Sequence, residues 1–168
     1  MENNITVNME NLSEEEREQL MKLIQKSNKT KRKIWEPEYD EWYFSISGCG
    51  EVESFNWLND STDDSSYGIG NCFKTREDAE FALEKLKVEA ELRRFAEENN
   101  ECGIDWKNKN QEKWYIFYNY NDNKSIWFGS VCNHKMNIIY FSSKEIAKQA
   151  VEYIGEERLK KYYFEVED

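Results

Sequence analysis

The sequence has one histidine, one proline and only seven glycines in 168 residues. A single histidine, His134, rules out a His-rich zinc site and leaves little room for a Ser-His-Asp or Cys-His catalytic system. Scarce proline and glycine argue against long linkers and low-complexity tracts, and no repeat of solenoid period is visible. Apolar runs are short, as in "MNIIYF", whereas a membrane span needs about 20 residues. The start, "MENNITVNMENLSEEE", has no basic segment followed by an apolar one, so no secretory signal is read and cytoplasm is the expected compartment. Four cysteines, Cys49, Cys72, Cys102 and Cys132, form no C-x-x-C pair. They are expected to be reduced, half-buried thiols.

Hydrophobic residues make up 39% and aromatics 15% of the chain, enough for an ordinary core in one domain or two small ones. The net charge of −11 is unevenly placed. Residues 1–33 carry 6 acids and 7 bases, residues 34–110 carry 19 and 8, and residues 111–168 carry 9 and 8. The middle segment therefore holds the excess, and direct binding of DNA or RNA there is disfavoured because phosphate contact needs Lys and Arg.

Ser13 with Glu16 three residues later forms a capping box, and Leu20, Leu23 and Ile24 follow on one stripe, so residues 1–33 read as an amphipathic helix plus the basic connector "KSNKTKRK". The segment Trp42 to Trp57 reads as a β-hairpin around Gly-Cys-Gly, followed by a polar loop, "LNDSTDDSSYG", and a third short strand, Ile69 to Phe73. Thr75 is the N-cap and Asp78 the N3 residue of a helix running to about Glu98, with Ala79, Ala82, Leu83 and Leu86 on its buried stripe. The plan then repeats as the hairpin "KWYIFYNYNDNKSIWFGS", the strand "MNIIYF" and the helix "SSKEIAKQAVEYI", closed by Gly155. Superposing the two pairs Trp42 with Trp114 at an offset of 72, and Phe73 with Phe141 and Thr75 with Ser143 at an offset of 68. The expected fold class is α+β. It comprises an N-terminal helix (1–33), an acidic βββα module with a long helix (34–110) and a second βββα module (111–168), each a three-stranded antiparallel sheet packed on a helix.

The layout "W-Y … F-x-T-x-E-x-A" resembles AP2-like domains, which pack three strands on one helix and lay the sheet in the DNA major groove. The hairpin Trp42 to Trp57 has no Lys or Arg, so the resemblance carries architecture and not a DNA-reading surface. A wider resemblance spans "LSEEEREQLMKLI", "WEPEYDEWYF", "GNCFKTREDAEFALEKLK", "AEENN" and "FSSKEIAKQAVEYIGEERLKKY". These segments look like a family of small accessory proteins of phages and prophages of Gram-positive bacteria. The resemblance implies a product acting in the host cytoplasm, with no assigned reaction.

Motifs for chemistry are sparse. Cys132 and His134 form C-x-H without a carboxylate or amide partner, which reads as a surface-loop histidine. "NDSTDDSS" lacks the glycine and the final glutamate of an EF-hand and reads as a solvated acidic loop. "GIGN" lacks the third glycine of a dinucleotide fingerprint, and no Walker motif or nucleophile elbow appears. The i, i+2 carboxylate pairs Glu36/Glu38 and Glu51/Glu53 read as surface charge, since exposed pairs in water interact by only about 1 kcal/mol at 4 Å. No catalytic residue, metal or cofactor is expected.

The preferred reading is a non-enzymatic protein that binds and inhibits a basic host protein, such as a nucleic-acid-binding defence enzyme, through an acidic surface imitating a phosphate backbone. Its expected contact residues are Glu51, Glu53, Trp57, Asp60, Asp63, Asp64, Asp78, Glu80 and Glu84, with Trp57 partly exposed beside the acidic loop. One alternative is a nucleotide-like ligand held in an aromatic pocket between the modules, with Arg93, Arg94, Lys107 and Lys109 as the clustered bases. The others are DNA binding by the basic segment Lys29 to Lys33 and AP2-like DNA binding.

Overall fold

The computed structural model describes residues 12–27, 34–101, 103–121, 124–135 and 137–166. Two compact units make up the chain, residues 1–36 and 37–168. In the first, helix α1 spans Glu14–Ser27. The capping box forms: Glu16 N–H donates to Ser13 Oγ at 3.3 Å, and Ser13 N–H donates to Glu16 Oε2 at 2.9 Å. Both bonds satisfy donors that a helix start leaves orphaned, and Glu14, Glu15 and Glu16 suit the positive end of the helix dipole. Leu20 is half-buried. The side chains of Leu23 and Ile24 and the basic residues Lys29 to Lys33 lie outside the described residues.

The second unit begins with strands β1 (Trp42–Ile46) and β2 (Val52–Asn56), paired antiparallel with Tyr43 opposite Phe55 and Ser45 opposite Glu53. The expected polar loop 58–68 is instead helix α2, Ser61–Gly68. Asp60 caps it, accepting from the N–H groups of Thr62 at 2.7 Å and Asp63 at 3.0 Å, while Asp63 returns a carboxylate to the Asp60 N–H at 3.2 Å. The run of Asp, Ser and Thr is helix-start chemistry, with the capping acids Asp60 and Asp63 three residues apart.

The three-stranded sheet does not form in either repeat: the described sheets are two separate pairs, β1–β2 and β3–β4. The expected third strand Ile69 to Phe73 is reduced to one bridge, in which Phe44 and Phe73 exchange both backbone bonds at 2.9 Å. The reason lies next to it in sequence. The N–H groups of Ile69, Gly70 and Asn71 are spent on the carbonyls of Ser65, Tyr67 and Ser66 at the end of α2, so their backbone is unavailable for a ladder. The Asn71 carboxamide substitutes for a peptide group, accepting from Ile46 N–H at 2.8 Å and donating to Ile46 O at 2.9 Å.

Helix α3 follows over Arg76–Asn99, capped by Thr75, whose Oγ1 accepts from Asp78 N–H at 3.1 Å. Strands β3 (Lys113–Asn119) and β4 (Ser125–Val131) form the second hairpin, and helix α4 spans Lys144–Ile154 with Ser143 as its N-cap. Here too the third strand is one bridge, Trp114 with Phe141 at 2.8 Å both ways. The Asn100 carboxamide brackets that bridge, donating to Tyr140 O at 2.9 Å and accepting from Ser142 N–H at 2.7 Å.

The bridges correct the register of the repeat. Phe44, not Trp42, is the counterpart of Trp114, an offset of 70 in the hairpins rather than 72. A second pair agrees: the Arg76 guanidinium lies 5.3 Å over the Phe44 ring, and the Lys144 ammonium 5.7 Å over the Trp114 ring. With that register Tyr43 corresponds to Lys113, and both are almost fully buried.

The main core joins the two repeats. Val88, Leu92 and Ala96 of α3 lie in one cluster with Ile116, Ile126, Phe141, Ala147, Ala150, Ile154 and Leu159. After α4, Gly155 takes φ 93°, conformational space that favours glycine, and a short helix α5 (Glu156–Arg158) leads into a five-residue π-helix, Leu159–Tyr163. Arg158 fastens this segment to α3 by a two-pronged bond to Glu91, 2.5 and 3.0 Å, with Glu84 at 3.5 Å. Buried Lys113 donates to the carbonyls of Asn108 at 2.7 Å and Gln111 at 2.8 Å, which satisfies an ammonium otherwise costly to bury.

Candidate functional site

Between Pro37 and Phe73 the chain has eight carboxylates and no lysine, arginine or histidine. A hairpin and α2 hold these acids in place. Glu51 sits in the hairpin turn and Glu53 on β2, both exposed, and Asp64 is exposed on α2. Among the described residues these three side chains have no ion pair. Asp60 is exposed and used as the α2 cap, and Asp78 is exposed and bonded by Thr75 Oγ1 at 2.7 Å. On the same helix as Asp78, Glu80 lies 3.9 Å from Arg76, and Glu84 is bound by Lys87 at 2.8 Å and by Arg158. The nine expected contact residues therefore divide. Glu51, Glu53, Asp60, Asp64, Asp78 and Glu80 remain at the surface, whereas Glu84 is half-buried and neutralised by two bases.

Two of the nine are corrected. Trp57 is not partly exposed but 3% exposed, packed edge-on against Tyr43 at 5.6 Å and Tyr67 at 6.2 Å, with its indole N–H donated to Asn59 Oδ1 at 2.6 Å. Asp63 is 4% exposed. It accepts from Tyr43 Oη at 2.9 Å, Leu58 N–H at 2.7 Å and Asp60 N–H at 3.2 Å. Burial works against its charge, but these donors outweigh it and hold the carboxyl below the usual aspartate range. Burial and the Asp63 charge push the Tyr43 phenol up to about 12. The surface expectation for Trp57 and Asp63 rests on a loop over 58–68; a helix there brings Asp63 and Tyr67 inward to pack beside Trp57.

Apolar side chains stand exposed among the acids: Tyr39, Trp42, Phe55, Leu58 and Ile69. Exposed aromatics beside unpaired charge are the usual makings of a protein interface, because aromatics supply the anchor and the charges the orientation.

A concavity of about 750 Å³ opens between α3, β3 and the C-terminal segment. Its walls include Tyr115, Phe117, Tyr118, Tyr162, Tyr163 and Phe164, with Lys85, Glu89 and Glu165 at its charged positions. Lys85 pairs with Glu165, and Glu89 with Arg93 at 2.6 Å. Of the bases expected to serve an aromatic pocket, Arg93 reaches it only through Glu89, and Arg94, Lys107 and Lys109 do not line it. The signal missed in the sequence was the terminal "KKYYFE", which turns back over α3 as a π-helix and completes the cleft.

His134 is exposed in a loop and packs by its ring, 4.5 Å from Trp106. Cys49 and Cys132 are exposed rather than half-buried, since each sits in a turn; Cys72 is intermediate, and burial followed by the charges of Asp63 and Glu41 pushes its thiol up to about 11. Cys102 lies outside the described residues. Among the described residues no three His, Cys, Asp or Glu side chains converge as metal ligands would, and no helix is long and apolar enough to cross a membrane.

Comparison of the chain with protein-family profiles, with curated proteins and with solved structures gives no match.

Proposed function

We propose that the protein acts by binding a basic protein partner through the acidic, aromatic-studded surface of its first repeat. The observation that carries this reading is the base-free stretch Pro37–Phe73, folded so that seven of its eight carboxylates stay out of the core while one, Asp63, holds the scaffold. A field of one sign accelerates encounter with an opposite surface and selects against acidic partners. In the setting implied by the resemblance to phage accessory proteins, the partner is a host nucleic-acid-binding or defence enzyme in the cytoplasm, and the protein occupies its nucleic-acid groove without chemistry of its own. The acids Asp60, Asp78 and Glu80 extend the field, and Glu51, Glu53 and Asp64 carry no ion pair among the described residues.

The test uses the whole chain as bait in a Gram-positive host lysate, beside the triple variant Glu51→Gln/Glu53→Gln/Asp64→Asn. Among the described residues these side chains make no hydrogen bond or ion pair, and the charge Asp64 lends to the first turn of α2 is a small term, so the variant keeps nearly the parent's melting temperature. A partner retained at 50 mM salt and released by 300 mM, and lost with the triple variant, supports the reading. A partner held equally at both salts and by both proteins overturns it.

A further inference from the structure

Each hairpin has two outer edges, and the sequence treats them differently. The edges of β1 and β3 meet Phe73 and Phe141 in the isolated bridges. β2 is five residues long, carries Glu53 with exposed Glu51 just before it, and gives its Val52 carbonyl to the Arg76 guanidinium at 3.2 Å. Shortness and charge are the usual guards of an open edge. β4 has neither: its seven residues, SIWFGSV, include no charged side chain and no proline. Trp114 turns its backbone bonds toward Phe141, so in the paired strand Ile126, Phe128 and Ser130 turn theirs away from β3. Among the described residues no backbone bond reaches those three from that side.

An unguarded edge accepts another strand, and the β4 sequence fits its own copy. Antiparallel pairing about a two-fold axis at Phe128 sets Phe128 against the partner's Phe128 and Ile126 against the partner's Ser130. Every outward N–H and C=O of these residues is then met. In the same register Trp127, 41% exposed, stands across from the partner's Gly129. A Cβ at Gly129 would lie 2.9 Å from Tyr115 Cζ, so the Tyr115 ring leans over the glycine and the incoming indole meets that ring. Neither strand brings a charge to the other, and residues 111–168 carry 9 acids against 8 bases, so the net charge of −11 sets no like-charged pair within the contact. An uncharged edge also gives a basic peptide nothing to select. We propose that the protein forms a two-fold dimer in which β4 pairs edge to edge with β4 of a second copy, making one four-stranded sheet in the order β3–β4–β4–β3. The assembly closes at two copies, because the far edge of each β3 is held by Phe141.

The experiment is sedimentation equilibrium of the full chain, with amide hydrogen exchange at the two ends of the concentration range. An edge of seven residues is smaller than a standard interface, so the dimer is expected to dissociate on the order of 10–100 µM, within a range of about 5 to 500 µM. Across that range exchange slows at the amides of Ile126, Phe128 and Ser130. Two variants probe the edge. Ser130→Pro removes an N–H that faces away from β3, and Trp127→Lys keeps an aliphatic stem opposite Phe117, so both keep the fold. Each weakens the dimer at least about tenfold, the first by blocking the ladder and the second by placing a charge on the edge. The inference is overturned by a monomer throughout the range, by mass rising past the dimer, by concentration-dependent protection at other amides instead of these three, or by variants that dimerise as readily as the parent.

Discussion

The Tyr43 hydroxyl donates to Asp63 Oδ1 at 2.9 Å, tying the open end of the first hairpin to the first turn of α2. Both groups are buried, so the bond is the pin that keeps the acidic surface in one shape. Tyr43→Phe should cost about 1–2 kcal/mol, because Asp63 loses one of several donors. Asp63→Ala should cost about 3 kcal/mol or more, since it strands the Tyr43 hydroxyl and the N–H groups of Leu58 and Asp60 together. Urea denaturation read by tryptophan fluorescence measures both, with Trp57 beside Tyr43 as reporter. Equal losses for the two variants would contradict this ordering.

The same pair sets pH limits. The folded pKa of Asp63 lies below its unfolded value, so its stabilisation is present above the unfolded pKa, near 3.8, and is lost as pH falls through the folded one. Tyr43 has the opposite sign: its folded pKa, about 12, exceeds the ordinary 10, so its contribution is present below pH 10 and disappears as pH rises toward 12. Stability of the parent should fall at both extremes, and Asp63→Asn should flatten the acid limb and also lessen the alkaline one, because the Asp63 charge is part of what raises Tyr43. An acid limb unchanged in Asp63→Asn would remove Asp63 as its origin.

How far the sequence led is clearest at Thr75 and Ser143. Both caps, the helices after them and the hairpins before them were legible, because capping oxygens and periodic apolar positions are local signals. The third strands were not. Whether residues 69–71 pair depends on where their N–H groups go, and α2 claims them, a competition invisible in the apolar pattern "GIGNCF". The burial of Asp63 was hidden for a related reason: an acidic run reads as solvated until a capping box and a distant tyrosine are known to use one member of it. In the cleft, the aromatics were visible as composition, but the π-helix that assembles them has no comparable sequence signature.

Thiol reactivity should follow environment. Cys49 and Cys132 are exposed, whereas the Cys72 thiol is pushed up to about 11 by burial and by neighbouring Asp63 and Glu41. Because the thiolate is the nucleophile, Cys72 should label with a disulfide reagent at pH 8 far more slowly than the other two. Peptide mapping after timed labelling resolves them. Asp63→Asn removes one of the nearby charges and should speed Cys72 labelling, whereas labelling of Cys72 at the rate of Cys49 in the parent would show that its environment does not protect it.

The two N-caps test whether the repeats are energetically one body. Thr75 caps α3 through Asp78 N–H at 3.1 Å, and Ser143 caps α4 through Ile146 N–H at 3.2 Å. Each change to alanine leaves helix-start donors unmet and should cost about 1 kcal/mol. Val88, Leu92 and Ala96 put the second half of α3 into the core of the second repeat, so neither helix can melt without exposing the other's apolar face. Thr75→Ala and Ser143→Ala should therefore shift a single transition, with tryptophan fluorescence and far-ultraviolet dichroism moving together. If Ser143→Ala left the fluorescence midpoint in place while lowering the dichroism midpoint, the repeats would be separate folding units, and α3 a bridge between them rather than a shared wall.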